Sequence, residues 1–355
     1  MEKERLKELN TLLLSNKFDQ EAYKKLSMEE AYAMFRLAAM HHKKVAENLE
    51  QLKKEQPEKA ESAQETAEEK ENVTDFAAGK IKAQENAAKV LLSKATFFYT
   101  LSIEQMKRLD AFYVAYSKCT NSPFVFCDPT TFDDMTWIFT SEEKLKQVIE
   151  KQKENNVELR GVKVENAKFL QFFTSLFYMG IDNVLFDYGT EGMMYNLNRI
   201  CKKPDFEKME NKAAAVVNSS LQLTAMYFLQ EARKNIEQKK KENLPQLEEE
   251  MSKNLVAGKY LVPFIKVDPE AGNDPKNIQI PYLKGQDGNM ILPAFTDLME
   301  FTKYNVEKKF SAVILTFDKL QGFIGNGIGI IFNPLGCNLF LKKEQLPMLV
   351  KRFEK

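Results

Sequence analysis

The fold is decided by a stretch that occurs twice, as Phe112-Tyr-Val-Ala-Tyr-Ser-Lys118 and again as Tyr260-Leu-Val-Pro-Phe-Ile-Lys266. At an offset of 148 residues, Val114, Tyr116 and Lys118 correspond to Val262, Phe264 and Lys266. Both stretches are rich in β-branched and aromatic residues, which predicts a strand. A helix-like segment precedes each one, at Leu101–Leu109 and at Leu247–Leu255. A recurrence of this kind indicates two copies of one structural unit.

The correspondence extends along the chain from these two strands, at offsets between 146 and 156 residues. The further matched segments are a strand (135–140 and 290–296), a helix (141–152 and 297–307), a strand (159–164 and 312–317) and a last strand with its turn (182–189 and 328–336). The order helix, strand, strand, helix, strand, helix, strand predicts a mixed sheet with helices on it, which is an α+β fold. The near-constant offset predicts an internal duplication.

The rest of the chain divides around the two copies. We expect a helical N-terminal region at 1–98, a diverged first copy at 99–200, a linking helix within 201–244 and the second copy at 245–355. Within the linker, apolar residues from Phe206 to Glu242 approximate a helical stripe, which predicts one long helix across both copies.

The N-terminal region begins its main helix at Ser27-Met-Glu-Glu30, where a serine and a glutamate three residues later form a capping box. An apolar face follows at helical spacing as far as Leu49, and such an amphipathic helix needs a partner. Its partner is either the shorter helix predicted from Glu2 to Leu14 or another chain, and we predict that the N-terminal helices dock a protein partner or a second copy of the chain. The charged segment 55–75 has almost no apolar side chain, so it is a disordered linker or a solvated helix.

Composition excludes several classes of protein. The 51 basic and 51 acidic residues cancel, so we expect binding neither to nucleic acid nor to an anionic membrane surface. No run reaches the roughly 18 apolar residues of a membrane helix, and the charged N-terminus lacks the pattern of a signal peptide. The four cysteines form no CxxC pair, so they are expected to be reduced thiols. These features predict a soluble protein of the cytoplasm.

Four pieces of the second copy together resemble the SseB protein N-terminal domain family. They are Leu292-Pro-Ala-Phe-Thr296, Asp297-Leu-Met-Glu300, Val313-Ile-Leu-Thr-Phe317 and Ile331-Phe-Asn-Pro-Leu-Gly336. The first copy is similar more loosely, with Phe186-Asp-Tyr-Gly189 in place of Asn-Pro-x-Gly. The family has no established enzymatic mechanism, so the resemblance implies a fold but no catalytic residue and no cofactor. The resemblance also implies a bacterial protein, and the Lys, Asn, Phe and Met usage is compatible with a bacterial source.

One candidate binding site recurs in both copies, where the last strand runs into a turn on glycine. A loop at the end of a strand can offer backbone groups and aromatic rings to a peptide or a small ligand. Asn, Pro and Gly are also the usual turn formers, so turning alone is the other interpretation. The candidate residues are Asp187, Tyr188 and Gly189 in the first copy and Asn333, Pro334 and Gly336 in the second.

A second candidate site is the acidic loop 127–134, where Asp128, Asp133 and Asp134 concentrate oxygen ligands that a hard cation could use. The loop lacks the spacing of an EF-hand, and Asp and Thr side chains that cap a turn explain it equally. The corresponding loop of the second copy, 267–275, is also acidic. The only histidines, at positions 41 and 42, lie outside both copies, which argues against an imidazole base there.

The sequence therefore predicts a non-catalytic protein-interaction or regulatory module with no cofactor. The alternative is a small-ligand or metal-binding domain, or a carboxylate-based enzyme, that uses the loop 127–134.

Overall fold

A computed structural model gives the arrangement of the chain, which divides into two compact units, Met1–Leu109 and Asp110–Lys355. The structure describes residues 1–15, 20–62, 67–190, 192–241, 243–266, 278–285 and 287–353. Within these residues, no helix is long and apolar enough to cross a membrane.

The N-terminal unit consists of helices. They are α1 (Lys3–Leu14), α2 (Gln20–Tyr23), α3 (Met28–Ser62) and α4 (Ala67–Lys107). The capping box predicted before α3 is formed, since the Glu30 amide donates to Ser27 Oγ at 3.1 Å and the Ser27 amide donates to Glu30 Oε2 at 2.9 Å. The two reciprocal bonds satisfy amides that the first turn of a helix leaves without partners.

Helix α4 is longer than the sequence suggests. The sequence predicts a separate helix-like segment at Leu101–Leu109 in the first copy, but α4 runs without interruption to Lys107 and across the boundary predicted at residue 98. Within α4, the hydroxyl of Ser102 donates to the Tyr99 carbonyl oxygen at 2.7 Å. A hydroxyl bonded back onto the preceding turn leaves the helix intact. In the charged segment 55–75, the described backbone is also helical.

The core of the N-terminal unit lies where α1 and α2 meet the first turns of α3 and the last turns of α4. Tyr23 and Phe98 meet there edge to face at 5.1 Å between ring centroids. The buried members are Leu9, Leu13, Tyr23, Leu26, Ala31, Ala33, Met34, Ala38, Ala95, Phe98 and Leu101. Farther along the helix pair, an ion pair of 2.8 Å joins Lys53 of α3 to Glu85 of α4.

The first copy folds into one mixed sheet. Its strands are β1 (Ala111–Ser117), β2 (Ser122–Pro123), β3 (Val125–Cys127), β4 (Asp134–Phe139), β5 (Leu159–Glu165), β6 (Asn183–Phe186) and β7 (Met193–Asn196). The order is β2-β1-β4-β6-β7, while β5 pairs with β1 and β3 pairs with β4. The pair β4–β6 is parallel, and the other pairs are antiparallel.

The second copy has strands β8 (Lys259–Lys266), β9 (Ile278–Gln279), β10 (Leu283–Lys284), β11 (Met290–Ala294), β12 (Ser311–Thr316), β13 (Gly329–Phe332) and β14 (Leu339–Lys342). Its pairings follow those of the first copy. The antiparallel pair β8–β12 corresponds to β1–β5, the parallel pair β11–β13 to β4–β6, and the antiparallel pair β13–β14 to β6–β7. The α+β class predicted from the sequence is confirmed.

The helices of this unit include α5 (Glu142–Glu154), α6 (Phe169–Tyr178), α7 (Leu197–Ile200), α8 (Ser219–Ala232), α9 (Leu244–Ala257), α10 (Leu298–Tyr304), α11 (Phe317–Leu320) and α12 (Gln345–Phe353). Helices α5 and α10 follow equivalent strands, and Ser141 and Asp297 cap their N-termini. Each cap side chain accepts a hydrogen bond from the amide three residues later, which is the usual geometry of an N-cap.

The prediction of one long linking helix from Phe206 to Glu242 is wrong. The helix there, α8, covers Ser219–Ala232 only. Before it, Asn211 Oδ1 accepts from the Ala213 amide at 2.9 Å, and Asn218 Nδ2 donates to the carbonyl oxygens of Lys259 and Thr296. Short amide side chains that bond to backbone groups in this way compete with helix formation.

Helix α8 is nevertheless shared by both copies. Its apolar residues Leu221, Ala225 and Leu229 belong to the core of the second copy. On the first copy, Gln230 forms two hydrogen bonds with Val125 of β3, accepting from its amide at 3.0 Å and donating to its carbonyl oxygen at 2.9 Å. The two copies are therefore parts of one packed unit.

Candidate functional site at the strand ends of the two copies

Asp187, the first candidate residue, lies at the end of β6 with its side chain turned inward. The residue is 2% exposed, and its backbone adopts a φ of 53°. Its Oδ1 accepts from the Thr140 amide at 2.8 Å, and Lys144 Nζ lies 2.7 Å from its Oδ2. The carboxylate thereby stabilises the turn between β4 and α5, and it is paired with the Lys144 ammonium group.

Asn333 occupies the same place in the second copy, at the end of β13. It is 1% exposed and has a φ of 49°. Its Oδ1 accepts from the Thr296 amide at 3.0 Å, and its Nδ2 donates to Thr296 Oγ1 at 2.8 Å. The backbone agrees as well, because the amides of Asp187 and Asn333 donate to Ile138 and Ala294 respectively.

The two copies carry opposite charges at one position of this strand-to-helix turn. The third residue after the N-cap is Lys144 in the first copy and Glu300 in the second. In the first copy, the Asp187 carboxylate therefore pairs with the Lys144 ammonium group. In the second copy, a carboxylate, Glu300, occupies the position of Lys144, and the neutral Asn333 occupies the position of Asp187. A buried charge needs a partner of opposite sign, and each copy meets that requirement differently.

The next two candidates of the first copy, Tyr188 and Gly189, reach the surface. The Tyr188 ring stacks on Trp137 with 4.0 Å between centroids and an interplanar angle of 7°. Gly189 has a φ of +92°, a conformation that favours glycine. An open hollow of about 350 Å³ lies beside them, lined by Val148, Lys151, Tyr188, Gly189, Thr190 and Gly192. Its openings to solvent place these candidates where a ligand could reach them.

The remaining candidates of the second copy, Pro334 and Gly336, are more enclosed. A Cβ atom at Gly336 would lie 2.6 Å from Glu300 Oε2, so any larger residue here would force this carboxylate to move. The residue between them, Leu335, is exposed, and its carbonyl oxygen accepts from Asn121 Nδ2 at 3.4 Å. This loop is thus held by the first copy, and the two loops differ in what they present to solvent.

The acidic loop 127–134 forms a turn through its own side chains. Asp128 Oδ1 accepts from the amides of Thr130 at 2.8 Å and Thr131 at 3.0 Å. The hydrogen bonds from the amides of Thr131 and Thr130 lower the pKa of Asp128. Asp134 Oδ1 accepts from the Tyr227 hydroxyl at 2.5 Å, and Asp133 is half-buried.

In the described part of the chain, no group of three or more His, Cys, Asp or Glu residues is arranged to hold a metal ion. The metal site predicted at Asp128, Asp133 and Asp134 therefore gains no support and stays a prediction. The loop 267–275, to which we compared it, lies outside the described residues.

Sequence reasoning missed a polar cavity of about 60 Å³ between the two copies. Asp297 of α10's N-cap is fully buried beside it and accepts hydrogen bonds from the Glu300 amide, Thr296 Oγ1 and Gln222 Nε2 at 3.0, 2.8 and 2.5 Å. Burial, together with the nearby Glu300 carboxylate, raises the pKa of Asp297 to about 6. Gln222 lies 75 positions away along the chain, so no local pattern signals this contact.

Comparison with known families supports the assignment of the second copy. Residues 233–347 match the model of the SseB protein N-terminal domain family. The resemblance seen in the motifs of the second copy is thereby confirmed for this part of the chain.

Two further comparisons add little. No curated protein sequence matches the chain. A solved structure, Anabaena Tic22 (protein transport), is 12% identical and is paired with 71% of this chain and 98% of its own length, with a TM-score of 0.17. A similarity at that TM-score says nothing about the fold or function of this chain.

Proposed function

We propose that this chain is a non-catalytic protein-interaction module, in which two SseB-like copies that arose by duplication carry a helical docking element. The docking element is the distal part of the α3–α4 helix pair, where residues 42–52 lie on α3 and residues 81–91 on α4. Its expected occupant is a helix, from a partner protein or from a second copy of the chain.

The observation that carries the proposal is incomplete burial along the apolar face of this helix pair. Near the other end, Ala31, Met34 and Ala38 of α3 are buried by α1 and α4. Farther along, the apolar positions of the same face, Val45 and Leu49, are only half-buried. Two helices alone cannot enclose both of their apolar stripes, whereas a third helix packed along them can.

The two copies support a non-catalytic role because their shared polar positions serve the fold. Thr140 with Asp187, and Thr296 with Asn333, close equivalent strand-to-helix steps through hydrogen bonds. Groups held in this way position backbone and offer no free nucleophile or base. The match to a family without an established reaction points in the same direction. The cytoplasmic location and the bacterial source stay predictions from the sequence.

The test uses a matched pair of charge variants on α3. Val45→Lys with Leu49→Lys places two ammonium groups on the half-buried face, whereas Asn48→Lys with Gln51→Lys adds the same charge at exposed positions. Circular dichroism at 222 nm first establishes that both variants fold. Light scattering after size exclusion then gives the molar mass, and affinity capture with the full chain as bait gives the bound proteins.

We expect the first variant to lose self-association or a captured protein that the native chain and the second variant retain. The proposal is wrong if all three proteins have the same mass and capture the same set. It is equally wrong if the exposed pair causes the same loss as the apolar-face pair.

A further inference from the structure

Strand β12 (Ser311–Thr316) leaves one edge of the second copy's sheet open. It pairs with β8 on one side, and on its other side it forms no backbone hydrogen bond with any residue that the structure describes. Leu261 of β8 exchanges its backbone hydrogen bonds with Phe295, so the residues that alternate with it along β8 bond to β12. The residues of β12 whose backbone groups face outward are therefore Ala312, Ile314 and Thr316.

The equivalent strand of the first copy, β5, is also an edge strand, but it carries charged side chains. Unpaired backbone groups along an edge are a template for another strand, and charged residues on the edge obstruct such pairing. In β12 the side chain at the middle of the edge is Ile314, which is 37% exposed. From the pairing of β5 with β1 and of β12 with β8, the charged residues Arg160, Lys163 and Glu165 correspond to the uncharged Ser311, Ile314 and Thr316.

We propose that β12 pairs antiparallel with β12 of a second copy of this chain, so that one sheet continues across both molecules. A two-fold axis relates the two strands, and both chains therefore use the same edge. With Val313 opposite itself on this axis, Ala312 and Ile314 of each chain exchange about four backbone hydrogen bonds with the other. The contact involves none of the residues of the α3–α4 helix pair.

The charges that flank the strand favour a second copy as the occupant. When Val313 lies on the axis, Lys308 before one strand approaches Asp318 after the other. The same register brings Glu307 toward Lys319. All four flanking residues are exposed. Opposite charges at the rim of a contact favour association and fix its register.

The remaining flanking charge, Lys309, forms an ion pair with Glu307 of its own copy. With Val313 on the axis it stands opposite the uncharged Phe317. Moving the axis to Ile314 would bring Lys309 toward Lys319, and these like charges repel. The flanking charges therefore favour Val313 on the axis.

The first experiment measures amide hydrogen exchange of the full chain by mass spectrometry, at concentrations from about 5 to 500 µM. Two paired strands form a small interface, so we expect a Kd on the order of 50 µM. At ten times that Kd, mass action leaves about one fifth of the chains unpaired, so exchange of the Ala312 and Ile314 amides should slow about fivefold. Peptides that cover β5 are the control in the same molecule, and their exchange should not change with concentration.

The second experiment compares two lysine substitutions at exposed apolar positions. Ile314→Lys introduces the residue that the first copy has at this place and puts two ammonium groups into the contact, so the dimer should weaken about tenfold or more. Leu170→Lys adds the same charge on α6, at a residue that is 68% exposed, and should leave the dimer unchanged. Circular dichroism at 222 nm establishes that both variants fold, and light scattering gives the molar mass at each concentration.

Reversal of one charge pair tests the register without altering the strand. Lys308→Glu opposes two carboxylates across the contact and should weaken the dimer several-fold, whereas Lys308→Glu with Asp318→Lys should restore it. Because both positions are exposed, these substitutions leave the core intact.

The proposal is overturned if the mass stays that of one chain and β12 exchange is independent of concentration. A dimer that Ile314→Lys leaves intact would also overturn it, and so would protection of β12 that requires another protein. A dimer lost in Val45→Lys with Leu49→Lys but kept in Ile314→Lys would assign self-association to the α3–α4 helix pair and refute the pairing of β12. A dimer lost in Ile314→Lys and kept in the α3 variant would support the pairing.

Discussion

Exchanging the Asx residues of the two copies should have unequal effects, because only the first copy supplies a cation. Asn333→Asp puts a carboxylate where Asn333 Nδ2 now donates to Thr296 Oγ1. The Thr296 hydroxyl already donates to Asp297, so it cannot also donate to the new carboxylate oxygen. The residue of the second copy that is equivalent to Lys144 is Glu300, whose negative charge cannot pair with the introduced carboxylate.

The loss of stability expected for Asn333→Asp follows from the burial of this position. Asn333 is 1% exposed, so the new charge is buried without a partner, which lowers the free energy of unfolding by about 3–5 kcal/mol at neutral pH. For a unit of this size that corresponds to a fall in Tm of about 6–20 °C. Asp187→Asn keeps the acceptor for the Thr140 amide and loses the ion pair with Lys144, which is 32% exposed. Since water can solvate that ammonium, we expect a loss of about 1 kcal/mol.

The pH dependence provides an internal check. Burial beside carboxylates raises the folded-state pKa of the introduced Asp above its unfolded value, so protonation relieves the penalty. The stability of Asn333→Asp should therefore approach that of the native chain at about pH 4 and fall as the pH rises. The double variant Asn333→Asp with Glu300→Lys reproduces the pairing of the first copy and should recover part of the loss.

The assay is urea unfolding at several pH values, followed by circular dichroism and by the fluorescence of Trp137, the only tryptophan, which stacks on Tyr188 in the first copy. Equal losses for Asn333→Asp and Asp187→Asn would refute the charge argument. So would a loss at position 333 that does not change with pH or with Glu300→Lys.

Three further predictions concern the second copy and its contact with the first. Asp297→Asn keeps an N-cap and removes a carboxyl whose folded-state pKa is raised to about 6. Urea unfolding of the native chain should therefore show a loss of about 3 kcal/mol as the pH rises from about 4 to 6, and the variant should lack this loss. Arg233→Met removes the guanidinium that donates to the carbonyl oxygens of Cys119, Cys337 and Asn338, and urea unfolding should show a loss of about 2 kcal/mol that Arg233→Lys only partly restores. Gly336→Ala should lower the Tm by several degrees on scanning calorimetry, about 1–3 kcal/mol, because its Cβ meets a buried carboxylate.

Local patterns were enough to predict much of the fold. The capping pair Ser27 and Glu30 starts α3 as expected, and the segments matched between the copies are strands with corresponding partners. Alternation and capping act over a few residues, so they can be read from the sequence. The extent of α8 could not be predicted from such patterns. Asn218, directly before the helix, donates to the carbonyl oxygens of Lys259 and Thr296, which are distant along the chain.

The orientation of the candidate residues could not be read from the sequence, and their role in binding stays a prediction. Asp187 and Asn333 do end equivalent strands, yet a positive φ turns their side chains toward Thr140 and Thr296 and away from solvent. Asx residues before glycine predict a turn without saying which way the side chain faces. The cavity beside Asp297 depends on packing between copies, which leaves no local signature.

Helix α8 limits how this domain can be transplanted. The family match begins at residue 233, one residue after α8 ends, yet Leu221, Ala225 and Leu229 fill the core of the second copy. A fragment cut at the family boundary would expose that apolar surface to water and favour aggregation. The segment that must stay together is therefore longer than the region that matches the family. A fusion or a shuffled gene that keeps the fold must include α8 with the second copy.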